Sequence, residues 1–444
     1  MEKNDPKMEI GRYAGSLGLS GPLRGSLRQG PIAPSVAYFL TIAYVVLEYA
    51  RPQDTLPILQ SFKLSLITSM LLAYVLVRFS RNVPWFRPQI VLFTLILAYM
   101  SMWVPFATNN YWALKGVVVF TQTYIFVLAI ATFVDNSERL KKFVLIFIAA
   151  GLFQALWGML HGGKGTGYFQ ADENDFALTM CVVLPFTLMT AAVVRERWAH
   201  LLLWTTGAMS LVAIVASDSR GGFVGLIVTA GMMVLMHRNR VRLGFATAIG
   251  AMALAVLAPS AYWEEMRTIT DEGGTREDRM ELWTVASDVY KDNPFFGVGQ
   301  NNINWVLNDY QLESDDHRMF GGRAVHSLYY TLLPEMGTLG GLLFLGVLYY
   351  NARDIGRIVR APRLPTDPPI DAYARALACS LMAYLICGIF LSVLWYPHFY
   401  LLTAMTIATV RVQEQQTAVA QRAGVAEQNV AAEPEVPEGL ESPA

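Results

Sequence analysis

A few polar side chains stand out from a chain that is otherwise apolar: Lys164, Asn174, Arg220, Arg279, His326 and Glu335. His326 precedes Ser327-Leu-Tyr-Tyr at the start of a long apolar run, and a neutral imidazole beside a groove is suited to take a proton from an attacking hydroxyl. Arg220 sits in Ser217-Asp-Ser-Arg-Gly-Gly222, between two apolar runs. A charge at the lip of a hydrocarbon layer is costly, which marks it as a functional candidate. An interface arginine paired with Asp218 is the alternative. Gly221 and Gly222 would let the next helix begin tightly beside a bulky ligand. Arg279 shares a helical side with Trp283, and a solvated arginine accounts for it as well. Lys164 lies among the glycines of Gly162–Gly167, whose backbone N–H groups could approach an anion. The Gly-Lys-Ser/Thr ending of a P-loop is missing, and a turn capped by Asn174 or Asp175 explains the loop equally well. Glu335 follows Pro334 at membrane depth. A buried carboxylate wants a cationic partner, and Arg220 is the nearest by topology.

The elements that must position these residues are apolar helices. The chain has 444 residues, 54% hydrophobic and only 16% charged, against about 25% charged in soluble domains. Its net charge of -1 suggests no bulk attraction to nucleic acid. Cys181, Cys379 and Cys387 all fall in apolar runs, so no disulfide framework or thiolate metal site is indicated. No removable signal peptide is visible at the start. Apolar runs long enough to cross a bilayer predict an all-α polytopic membrane protein with about twelve transmembrane helices. The expected spans lie near 32–50, 62–78, 88–106, 114–134, 141–160, 175–194, 198–217, 221–237, 242–259, 327–350, 372–391 and 394–411.

The domain reading is therefore a flexible segment 1–31, helices over 32–259, a large extramembrane segment 260–325, helices over 326–411 and a disordered tail 412–444. Basic residues set the orientation. With both termini cytoplasmic, the inside loops collect Arg78, Arg81 and Arg87, then Lys141 and Lys142, Arg238, Arg240 and Arg242, and later Arg353, Arg357 and Arg360. The short outside loops carry little beyond Arg51, Lys63, Lys115, Lys164 and Arg220. Lys115 reads as a lysine snorkelling to an aromatic belt of Trp103, Tyr111 and Trp112. This orientation puts the polar candidates and segment 260–325 on one outer face.

Within that segment Arg276–Lys291 predicts an amphipathic helix with Met280, Trp283 and Ala286–Ser287 on one side, resting on the membrane surface or on the bundle. Asp315-Asp-His317 has no ligand pair at helical spacing and reads as a solvated turn, so no metal site is expected.

In order along the chain stand Asn174 in GYFQADENDFAL, SRGG around Arg220, Arg279 and Trp283 followed by NPFFGVGQNN, and His326 in HSLYYTLLPEMGTLGG. Together they resemble the O-antigen ligase/O-antigen polymerase superfamily of bacterial envelope glycosyltransferases, over about residues 170–350. The resemblance implies a GT-C-like membrane fold in the bacterial inner membrane with a periplasmic active site. It implies a metal-independent, inverting transfer of a glycan from undecaprenyl diphosphate to an acceptor hydroxyl on a glycan, lipid A-core or a protein, with no cofactor. It gives His326 the catalytic role, Arg220 and Arg279 the diphosphate, with Lys164 as a weaker third, and Asn174 and Glu335 supporting places. Arginine's planar fork suits a diphosphate leaving group, because it binds phosphate oxygens bidentately and stays charged. One departure is visible: the family's histidine is commonly followed by asparagine, and here by Ser327. The loop before His326, rather than the helix after it, is where acceptor choice is expected.

A transporter of a lipid-linked sugar or small anion is the alternative. It should show discontinuous helices at mid-membrane, internal repeats and ionisable residues inside the bundle. No repeat is detectable, and the spans are mostly free of charge away from Glu335. A purely structural membrane subunit would leave Arg220 and His326 unexplained.

Overall fold

The computed structural model describes residues 34–191, 193–237, 239–267, 275–310, 322–361 and 370–432, and every regular element among them is helical. The expected flexible segment 1–31, the Asp315-Asp-His317 turn and residues 433–444 of the expected tail lie outside the described residues. In chain order the main helices are α1 (Pro34–Val45, continued by a π-turn over Val46–Ala50), α2 (Leu64–Arg78), α3 (Pro88–Trp103), α4 (Asn110–Phe133) and α5 (Ser137–Leu160). They continue with α6 (Glu173–Ala191), α7 (Arg197–Ala216), α8 (Arg220–Met236), α9 (Arg240–Leu257) and α10 (Ser260–Arg267). The last are α11 (Thr275–Asp292), α12 (Ile303–Tyr310), α13 (Leu328–Arg360), α14 (Ile370–Cys387) and α15 (Pro397–Ala432).

Apolar runs become helices because in lipid each backbone N–H and C=O must be satisfied within its own segment. Eight of these helices are long and apolar enough to cross a membrane, and α1, α2 and α8 are shorter apolar helices. Length and composition therefore support eight crossings among the described residues, where about twelve are expected from the sequence. Residues 412–432, assigned to the tail on sequence, continue α15 as helix.

The bundle is built around α6, which is buried along nearly its whole length and packs on α5, α7, α8 and α14. Small residues allow that closeness: a methyl group on Gly222 of α8 would come within 2.4 Å of the Ala177 Cβ on α6. The opposite case is α9, which buries none of its residues.

Segment 293–303 is not a surface loop. Helix α13 breaks at Gly337, which takes φ 61° and ψ -169°. The carbonyls of Pro334 and Glu335 would otherwise pair with Thr338 and Leu339. They accept instead from Val298 N (2.9 Å) and Gly299 N (3.0 Å), while Thr338 N and Leu339 N donate to Pro294 O (2.8 Å) and Phe295 O (3.2 Å). These four backbone groups thus find partners on the inserted segment, and the Met336 carbonyl accepts from the Tyr99 hydroxyl of α3 at 3.1 Å, so the irregular backbone is satisfied. Only glycine fits there, since a Cβ on Gly337 would lie 2.4 Å from the Phe295 carbonyl. Gln300 ties the same segment to α3 and α4, its Nε2 donating to Met100 O (3.2 Å) and Ala113 O (3.0 Å).

The amphipathic helix appears as α11 and rests on the bundle, against α12 and α13. Its buried side is Leu282, Val285, Ala286 and Val289, forming a second core with Val298, Ile303, Val306, Leu307 and Val325. Trp283 packs at the edge of that core, whereas Met280 points outward. The apolar side is rotated from the expected one because α11 must also cover the inserted segment.

Candidate active site

The first turn of α8 is locked to the start of α6. Ser219 caps α8 by accepting from Gly222 N at 2.9 Å, and its hydroxyl donates to Asn174 Oδ1 at 2.7 Å. Asn174 in turn donates to Asp172 Oδ1 through its backbone N (2.9 Å) and its side-chain Nδ2 (3.0 Å). Asn174 is therefore a joint between two helices and an acidic side chain, with Gly221 close enough for its missing Cβ to sit 3.7 Å from Asn174 Oδ1. Gly222 permits a tight approach of α8 to α6.

Arg220 opens α8, and its Nε pairs with Glu265 Oε1 of α10 at 3.3 Å. This corrects both partners expected from the sequence, Asp218 and Glu335. Asp218 takes a left-handed backbone (φ 49°), and burial together with the Glu265 charge pushes its carboxyl above the usual carboxylate range. Glu335 is buried, accepting from Trp395 Nε1 at 2.9 Å and from the Ile303 amide at 3.4 Å at the head of α12. Its work is to hold the inserted segment. A buried carboxylate can be satisfied by neutral N–H donors when they are aimed at it.

Arg279 and His326 are brought together by Trp283, one turn beyond Arg279 on α11. The indole stacks on Tyr330 (centroids 5.1 Å, 13°) and donates from Nε1 to Val325 O at 3.1 Å. Next along the chain, His326 adopts φ 53°, a conformation that costs an L-residue about 1–2 kcal/mol. Ser327 is buried and caps α13 by accepting from Tyr330 N at 3.5 Å, and Leu328 N donates to Gly388 O at 2.7 Å. Ser327 is thus engaged with the backbone. The chain is pinned on both sides of His326, whose ring remains partly exposed to solvent.

Electrostatics join these pieces. Burial and then the Arg220 charge lower the Arg279 guanidinium from its ordinary value, and the Asp172 carboxylate opposes them. A guanidinium keeps its proton under such a shift. Burial and then Arg279 lower the His326 imidazole below 6.5, with Asp172 acting upward and Arg323 downward. The imidazole is accordingly neutral near pH 7, the form that can accept a proton. Arg220, Arg279, His326 and, through Asp172, Asn174 form one cluster.

Lys164 is placed differently. It is exposed and paired with Glu173 at 3.0 Å, which raises its ammonium above the ordinary value. Lys115 lies 4.6 Å from the ring centroids of both Tyr111 and Trp112, in keeping with an interfacial lysine. Asp172, Glu265 and Ser219 belong to the cluster but do not stand out in the sequence, where only the polarity of Ala-Asp-Glu-Asn-Asp175 hinted at the first. Among the described residues no group of three His, Cys, Asp or Glu side chains could hold a metal ion.

Fold and site together define a multi-pass helical membrane protein with a cationic, histidine-bearing cluster where α6, α8, α11 and α13 begin or meet. Residues 205–345, about a third of the chain, match the family model described as O-antigen ligase, which supports the resemblance to the O-antigen ligase/polymerase superfamily. The matched stretch contains Arg220, Arg279, His326 and Glu335, while Lys164 and Asn174 precede it. The family carries a glycosyltransferase-type reaction. None of the curated proteins compared with the chain matches it.

Proposed function

We propose that this protein transfers a glycan from undecaprenyl diphosphate to an acceptor hydroxyl at the periplasmic face of the bacterial inner membrane, as an O-antigen or exopolysaccharide ligase or polymerase. The observation that carries the reading is the placement of Arg220 at the start of α8, Arg279 on α11 and His326 at the start of α13, fixed by Ser219 on Asn174 and by Trp283 on Val325 and Tyr330. His326 takes the acceptor's proton as the hydroxyl oxygen bonds to the anomeric carbon. The bond from that carbon to the phosphate oxygen breaks on the opposite side, so configuration inverts. The electron pair leaves with the lipid diphosphate, whose charge Arg220 and Arg279 stabilise. Fixed cations fill this role without a metal. Lys164 is a peripheral cation, and Asn174 and Glu335 are positioning residues. With the cluster periplasmic, both termini are cytoplasmic.

The break in α13 is a feature that would favour a transporter. Its backbone groups, however, are paired with residues 294–299, and Glu335 is engaged by Trp395 and Ile303, so the break offers no open ion site. The test uses purified protein, a diphosphate-linked oligosaccharide and a candidate acceptor, with chelator present. Product should form, and His326→Ala and Arg220→Ala should each abolish it. Full activity in both variants would overturn the mechanism, and flux across proteoliposomes without transfer would favour the transporter.

A further inference from the structure

Beside the cluster lies a second built surface that the transfer step does not use. Gln154 anchors the glycine-rich loop, accepting from Thr166 N (2.9 Å) and donating to Tyr49 O (2.6 Å). The next residues are Gly167, at φ 81°, and Tyr168, which is 53% exposed. Arg51, itself at φ 49°, lays its guanidinium 5.3 Å from the Tyr168 ring centroid, and any Cβ on Gly167 would strike the Arg51 side chain at 2.0 Å. Arg51 is steadied by Asp54 at 2.6 Å. On another side Tyr396 meets Tyr168 edge-on (centroids 6.0 Å, 86°), its hydroxyl donating to Asp175 Oδ2 at 2.8 Å. A left-handed non-glycine residue pressed against a glycine that must also be left-handed is a strained arrangement of the kind that accompanies binding sites.

This wall adjoins the cationic cluster. Asp175 follows Asn174 directly, and the Asp172 carboxylate acts on Tyr396 as well as on Arg279 and His326. A half-exposed tyrosine ring with a guanidinium over one face and a second tyrosine edge-on beside it suits a pyranose. The sugar's C–H groups pack against the exposed part of the ring, and its hydroxyls meet the Arg51 guanidinium and the Tyr396 hydroxyl beside it. We propose that Tyr168, bordered by Arg51 and by Tyr396, which Asp175 holds, binds the sugar ring attached directly to the donor's diphosphate. The inference rests on the donor reading above, since it takes Arg220 and Arg279 as the diphosphate site next door.

The experiment measures affinity of the full chain in nanodiscs for undecaprenyl diphosphate, bare and carrying N-acetylglucosamine or galactose. Wild type should prefer a sugar-bearing lipid. Tyr168→Ala should weaken that lipid by about five-fold, the size of one aromatic contact, while bare-lipid affinity stays within about two-fold. Tyr168→Phe, which keeps the ring, should retain the preference. A wild type with no preference, a preference intact in Tyr168→Ala, equal weakening of both lipids, or equal losses in the Phe and Ala variants would each overturn the subsite. A wild type that binds neither lipid would instead sink the donor reading, and the subsite with it.

Discussion

Replacing His326 separates its backbone from its chemistry. At φ 53° the residue sits in the left-handed region. That conformation costs a non-glycine residue about 1–2 kcal/mol, whereas glycine adopts it freely but gives up about 0.5–1 kcal/mol through its looser unfolded chain. His326→Gly should therefore be more stable than His326→Ala by up to about 1.5 kcal/mol, about one to two degrees in melting temperature. Both variants lose the imidazole, and loss of a general base should reduce transfer by about 10²–10⁴-fold, equivalent to about 3–5 kcal/mol of barrier. Melting of the detergent-purified variants, read beside single-turnover transfer, tests both halves. Activity in His326→Gly close to wild type would refute the base, and an alanine variant more stable than the glycine one would refute the strain.

The remaining predictions concern the groups around it. Because a lowered imidazole is neutral above its own pKa, wild-type kcat/KM should fall only below about pH 6.5. Asp172 acts upward on His326, so Asp172→Asn should move that acid limb to lower pH, and Arg323→Gln should move it higher; a pH–rate profile with unmoved limbs would remove both groups from the site. Glu335→Ala leaves the buried Ile303 amide and the partly buried Trp395 N–H without an acceptor and should cost about 1–3 kcal/mol in all. Glu335→Gln, which keeps an acceptor oxygen, should recover much of that stability in thermal melts. Gly222→Ala places a methyl 2.4 Å from the Ala177 Cβ. It should destabilise by about 1–3 kcal/mol, and a melting temperature equal to wild type would show that α6 and α8 are less close than they stand here.

The helical class and the residues worth testing were legible in the sequence, because lipid imposes a single backbone solution on any long apolar run and makes each charge inside it conspicuous. Arg220 and His326 stood out for that reason. Their partners did not. Arg220 meets Glu265, Asn174 bridges Ser219 and Asp172, and Glu335 serves Trp395 and Ile303; those residues are distant in sequence or sit in polar stretches where one carboxylate looks like another. Nothing in the sequence around Gly297, Gly299 and Gly337 told that their neighbours pair across a broken helix. Periodicity reports which residues prefer lipid or water, a one-dimensional property. Which carbonyl a freed N–H finds, and how two guanidiniums come to bias one imidazole, depends on distances through space that only the packed bundle sets.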